Sequence, residues 1–255
     1  MAPDPERLGG LAWARRTGGE LTPRERRRLL GEIVRGQAGY LAGRIKLATG
    51  RVPKAAEAIA FTDFQPPDSA LVREAEQACL EQSDGIAGHG RRTWIFGSGL
   101  AALDGETLEP EQFYVASLLH DHGIEYPAAN EDFVIRSADR VARCAHDAGA
   151  PGDVAETIGD AISIHSLPGV SIATDGVLGF YVQAGAMYDL AGLRAQDLTK
   201  AFRDQALAAF PRAGVTSQIT ELVRAEAKLN PRGRFALLKQ CGMPLLFRLA
   251  PLKPR

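Results

Sequence analysis

The chain has 255 residues, of which 45% are hydrophobic and 24% charged, and a formal net charge of -1. This is enough apolar material for a real core, and it excludes both wholesale disorder and a nucleic-acid binder held by bulk charge. Cys79, Cys144 and Cys241 form no CxxC pair, so neither a disulfide framework nor a zinc ribbon is expected. No apolar run approaches the ~20 residues of a membrane span, and the N-terminus lacks the apolar stretch of a signal peptide. A cytoplasmic protein with neither a membrane nor a nucleic acid as partner is the expectation.

In chain order, residues 1–20 carry Pro, Gly and Arg without periodicity and read as a loose tail with one short helix at most. Thr22 as cap, Pro23 at the first helical position and Glu25 in the first turn then open a helix to about residue 47. Its basic stretch from Arg24 to Arg28 reads as a solvated face. Residues 48–68, with Pro53, Pro66 and Pro67, read as an irregular connector. Helical patterns follow over 69–82, 88–102, 110–122, 136–148, 153–166, 175–191, 196–209 and 215–229, and strand signals are nearly absent. From residue 231 onward Pro231, Gly233, Pro244, Pro251 and Pro254 suggest an extended tail. The chain thus divides into an N-terminal tail, helix and connector over 1–67, an all-α body over 68–230, and a C-terminal tail over 231–255. No domain boundary separates them.

Candidate chemistry lies where polar residues interrupt helix faces that must be buried. Phe113, Ala116, Leu119 and His120 share one face, so His120 and Asp121 emerge at the end of their helix beside its buried side. Successive helical residues point about 100° apart, so both reach one ion only if it lies against that last turn. His89 sits between Gly88 and Gly90, with Arg92 and Phe96 on its face. Asp189 continues the stripe of Leu178, Val182 and Gly185. A carboxylate on such a face needs a cation or hydrogen bonds. His165 closes the stripe of Val154, Ile158, Ala161 and Ile162. Two imidazoles and two carboxylates suit one borderline divalent ion, zinc or iron first, with manganese, cobalt or nickel also compatible. Cys144 reads as a small buried residue and Asp175 as a helix cap.

The order His89, then His120–Asp121 in LLHDHG, then Asp189 in AMYDLAG resembles the H…HD…D signature of the HD superfamily. HGRRTWIFG, ISIHSLPG and QAGAMYDLAGL look like segments of its cyanamide hydratase-like branch, and the likeness covers about residues 68–230. The resemblance implies an HD-domain helical bundle with an N-terminal helical extension. It also implies that His89, His120, Asp121 and Asp189 bind the metal. By the same likeness Arg92, Thr93 and His165 match residues of the branch's motifs. His122 departs from the pattern, standing where an aliphatic residue is usual.

The expected function is a metal-dependent hydrolase or hydratase acting on a small molecule through activated water. The chemistry is either of the phosphohydrolase type or hydration of a nitrile-type carbon. Asp121, His165 and Arg92 are the expected catalytic groups; Arg92, Thr93, Phe96 and His165 are the expected substrate contacts. One alternative is a binuclear iron oxygenase, which needs His122 or His146 at the site, although His146 reads as exposed surface. A second is a non-catalytic ligand-binding module on the same scaffold. A homo-oligomer is compatible with all three.

Overall fold

The computed structural model describes residues 7–212 and 214–252. The first six residues of the expected N-terminal tail, and residues 253–255 with Pro254, lie outside the described residues. Among the described residues the chain is all-helical, with no strand. Its twelve α-helices are α1 (Leu11–Thr17), α2 (Pro23–Ala48), α3 (Ala70–Cys79), α4 (Asp84–Asp104), α5 (Pro110–Leu119), α6 (Phe133–Asp147), α7 (Gly152–Ile164), α8 (Ile172–Ala191), α9 (Lys200–Ala209), α10 (Val215–Leu229), α11 (Arg234–Gln240) and α12 (Met243–Arg248). No helix among the described residues is long and apolar enough to cross a membrane.

The opening of α2 follows its residue chemistry. Thr22 Oγ1 accepts from the Glu25 backbone N–H at 3.3 Å, and Glu25 Oε2 accepts from that of Thr22 at 2.7 Å. Two N–H groups that a helix start leaves free are thereby satisfied, with Pro23 at the next position where no N–H is needed.

The centre of the protein is α4, buried from Gly85 through Ala101 on nearly every side. A helix buried all round is expected to be apolar all round, so its buried His89, Arg92 and Thr93 are the exception that marks the site. It begins at Asp84, four residues before the expected start, because its glycines weaken the local helical signal. They also permit close packing. A Cβ on Gly90 would lie 2.9 Å from the carbonyl oxygen of Leu118, at the end of α5. A Cβ on Gly185 of α8 would lie 2.1 Å from the carbonyl oxygen of Thr93. These contacts bring α5 and α8 against α4 at backbone distance.

Helix α8 starts at Ile172, capped by Ser171, and its helical course is interrupted at Gly176 (φ 70°, ψ 166°). Asp175, expected as a cap, accepts from the Ser171 N–H at 2.9 Å and pairs with Arg7. The stretch from residue 231 differs from the expected extended tail: it folds into α11 and α12 and buries Phe235, Leu237, Phe247 and Leu252. Its prolines misled because Pro244 stands in the first turn of α12, where proline is compatible with a helix. The segment before α2 likewise buries Leu11, Trp13 and Ala14 in α1.

Candidate metal centre

Helix α5 ends at Leu119. His120 is its cap, and Asp121 leaves helical geometry (φ -105°, ψ 5°) before a short 3-10 turn over His122–Glu125. Inside a continuous helix the two side chains would diverge by about 100°. The break at Asp121 lets both face α4. His89, His120 and Asp121, all buried, bring one donor atom each within 4.8 Å of one another and form a group that could hold a metal ion. His89 Nε2 lies 3.1 Å from His120 Nε2 and 3.7 Å from Asp121 Oδ2. His120 Nε2 lies 3.4 Å from Asp121 Oδ2.

The hydrogen bonds at the far side of each ring decide what these atoms offer. His120 Nδ1 is 2.8 Å from the Ser117 carbonyl, and His165 Nδ1 is 2.6 Å from the Ile162 carbonyl. His89 Nδ1 is 2.7 Å from Asp189 Oδ2. A carbonyl or carboxylate oxygen can only accept, so each Nδ1 carries a proton, and each ring in its neutral form presents its Nε2 lone pair. His165 Nε2 lies 3.3 Å from Asp121 Oδ1, on the other side of that carboxylate. Donor atoms of His89, His120 and Asp121 therefore converge away from water, with His165 on the far side of the carboxylate, and such a set could hold a cation.

The electrostatics follow. Burial alone would raise the Asp121 carboxyl, but His120 and His165 reverse this and hold it well below the usual carboxylate range. Burial works against charge on His120, yet the adjacent Asp121 carboxylate raises it above the ordinary histidine value. Burial pushes His89 and His165 down, with Asp189 and Asp121 respectively opposing.

Asp189 was expected among the ligands, and it lies outside the His89–His120–Asp121 group. Its Oδ2 receives His89 Nδ1, while its Oδ1 receives Arg92 Nε at 2.9 Å and Arg212 Nε at 2.8 Å. Arg212 Nη2 also reaches the Asp189 carbonyl at 2.7 Å. Burial would raise this carboxyl, and the two guanidinium groups and His89 hold it far below its usual range instead. Asp189 is thus charge-balanced by two guanidinium groups and fixes the tautomer of His89, an arrangement that would suit an outer support if His89 held an ion.

Arg92 was expected to touch substrate. Its guanidinium neutralises Asp189 and donates to the carbonyls of Phe210 (3.2 Å) and Pro211 (2.7 Å), and its Nη2 is buried without a hydrogen-bond partner among the described residues. The physical reason is charge balance: a buried carboxylate holds the nearest guanidinium. Phe96, another expected contact, stacks on Tyr188 at 4.3 Å between ring centroids in the core. Thr93 is fully buried on α4, where its carbonyl meets α8. His122 turns away to Glu81 (3.1 Å) and stacks on Tyr126, while His146 is exposed beside Asp147. Neither joins the group. Cys144 is buried, as expected.

His165 differs from the other three. Besides facing Asp121, it lines a cavity of about 430 Å³ bounded by α2, the turn before α8, and α11–α12. Arg92, Thr93 and Phe96 are not among its lining residues. Two functional features escaped sequence reasoning. Arg212 lies in the irregular link between α9 and α10, where no periodicity flags it. The cavity wall comes from segments whose Pro and Gly content reads as tail or connector.

Compared with known proteins, the chain matches no protein-family model and no curated protein.

Proposed function

We propose that the protein is a metal-dependent hydrolase or hydratase of the HD type, acting on a small molecule with water as nucleophile. The observation that carries this reading is the convergence of the Nε2 lone pairs of His89 and His120 with the Asp121 carboxylate, beside a third imidazole that opens on a cavity. The nitrogen–oxygen donor set fits zinc or iron(II) best, with manganese, cobalt and nickel also compatible, and is too rich in nitrogen for calcium or magnesium. Such an ion, when bound, supplies Lewis acidity and a water acidic enough to ionise near neutral pH.

The chain's own residues do the rest. Asp189 and the Ser117 carbonyl keep Nδ1 protonated on His89 and His120, so both Nε2 atoms would be available to hold the ion. The Ile162 carbonyl does the same for His165. The Nε2 of His165 would then take the proton of the attacking water and return it to the leaving group in hydrolysis, or to the substrate nitrogen in hydration. Asp121 would offer Oδ2 to the ion, while its Oδ1, 3.3 Å from His165 Nε2, would stabilise the imidazolium that forms once Nε2 has taken a proton. The H…HD…D resemblance supports the same assignment. The cavity supports an enzyme over a non-catalytic module through His165 alone, which lines it and lies 3.3 Å from Asp121; His89, His120 and Asp121 are buried and are not among its lining residues. The positions of His122 and His146 do not favour a binuclear oxygenase.

Elemental analysis of the purified protein tests the assignment. The parent is expected to carry one divalent transition metal per chain and His120→Ala to carry none. Stoichiometric metal in folded His120→Ala would overturn it.

A further inference from the structure

The cavity beside His165 indicates which substrates the site takes, an inference that rests on the hydrolytic reading above. Each wall contributes apolar side chains: Ile33 from α2, Leu167 from the turn before α8, Met187 from α8, Leu238 from α11 and Leu246 from α12. Its polar lining is Glu32, Gln37, Tyr40, Ser166, Gln183 and His165, of which His165 contacts Asp121. No lysine or arginine lines it. The one carboxylate in its wall, Glu32, is paired with Arg35 on the same helix. The two guanidinium groups nearest the metal group, Arg92 and Arg212, bond to Asp189 and to backbone carbonyls, and neither lines the cavity, although Arg92 Nη2 is buried without a hydrogen-bond partner among the described residues.

A phosphomonoester brings about two negative charges. Binding it requires cationic or N–H donors that replace its hydration, and a charge left unpaired against apolar walls is strongly disfavoured. A volume of about 430 Å³ falls in the range of pockets that enclose a whole drug-sized ligand. It far exceeds what a molecule of a few atoms fills. We infer that the substrate is an uncharged, mainly apolar molecule of that size, whose body lies between α2 and α11–α12 and whose reacting polar group meets His165, and that phosphomonoesters are excluded.

A minimal pair of ligands differing only in charge tests this on the full-length, metal-loaded protein. N-phenyl-1-naphthylamine, a neutral fluorescent hydrophobe, reports occupancy, and 1-naphthol and 1-naphthyl phosphate compete for it. Naphthol is expected to displace the dye at least tenfold more effectively than the phosphate. Leu246→Trp and Ile33→Trp, which fill the cavity from opposite walls, are expected to weaken dye binding at least tenfold with metal content at the parental level. Equal displacement by the phosphate, or parental dye binding in both folded variants, would overturn the inference. The competition uses the parent alone, so it decides even if a tryptophan variant fails to fold. A parent that selects naphthol but purifies without metal defeats the hydrolytic reading and leaves the cavity's selectivity standing. A metal-loaded parent that takes both ligands equally does the reverse.

Discussion

Asp189 offers a sharp test of how the centre is built. Its carboxylate receives His89 Nδ1 at 2.7 Å, Arg92 Nε at 2.9 Å and Arg212 Nε at 2.8 Å, with the side chain fully buried. Asp189→Asn preserves shape and removes the charge. Two buried guanidinium groups then lose their counter-ion, and breaking a buried pair in this way costs about 3–5 kcal/mol. At ~2–4 °C per kcal/mol for a chain in this size class, the metal-free variant should melt roughly 6–20 °C below the parent. The amide has one acceptor and one donor end. If its oxygen stays on the arginines, its NH2 faces the Nδ1–H of His89 and drives that proton to Nε2, removing a ligand lone pair. Loss of such an outer support typically weakens metal affinity by about 10–100-fold without abolishing it. Thermal unfolding of the metal-free protein and zinc titration by calorimetry measure the two effects. Parental melting together with parental zinc affinity would refute the reasoning. Complete loss of zinc binding in a folded variant would make Asp189 a direct ligand rather than a buttress.

Four further outcomes are expected. His165→Gln should keep the metal and lose turnover by about 10²–10⁴-fold, the usual weight of a general acid–base group; metal loss on elemental analysis would make it a ligand instead. Gly185→Ala places a Cβ 2.1 Å from the Thr93 carbonyl oxygen, an overpacking that should cost about 1–3 kcal/mol, and an unchanged melting temperature would contradict the close α4–α8 contact. Zinc at 100 times its Kd should stabilise the protein by about 2.7 kcal/mol, reversed by chelator, and a thermal shift assay that finds no change on adding zinc would count against the site. Glu81 is held at about 2, chiefly by its hydrogen bonds from Arg140, against an ordinary value of 4.5. Its folded value is depressed, so its contribution is complete above about pH 4.5 and fades as pH falls toward about 2. The melting gap between parent and Glu81→Gln should close through that window. It should be small even at neutral pH, because the Glu81 side chain is 45% exposed and solvent screens it. A gap that stays constant would show that the charge is not its source.

The sequence alone determined the helical class, the capped start of α2, and the burial of His89, His120, Asp121, His165 and Asp189, because periodicity and cap chemistry are local and each residue carries its own signal. It also distinguished His146 as surface and Cys144 as core. The tertiary structure decided what those residues face. Whether Asp189 meets an ion or the back of His89, and whether Arg92 meets substrate or a carboxylate, depends on side chains 97 to 100 residues apart, which no local pattern encodes. Arg212 and the α11–α12 wall escaped for the same reason: their roles arise from packing against α8 and His165, and their own segments read as link and tail. Even the convergence of His120 and Asp121 needed the backbone break at Asp121 (φ -105°, ψ 5°), a departure from helical geometry fixed by the elements around it.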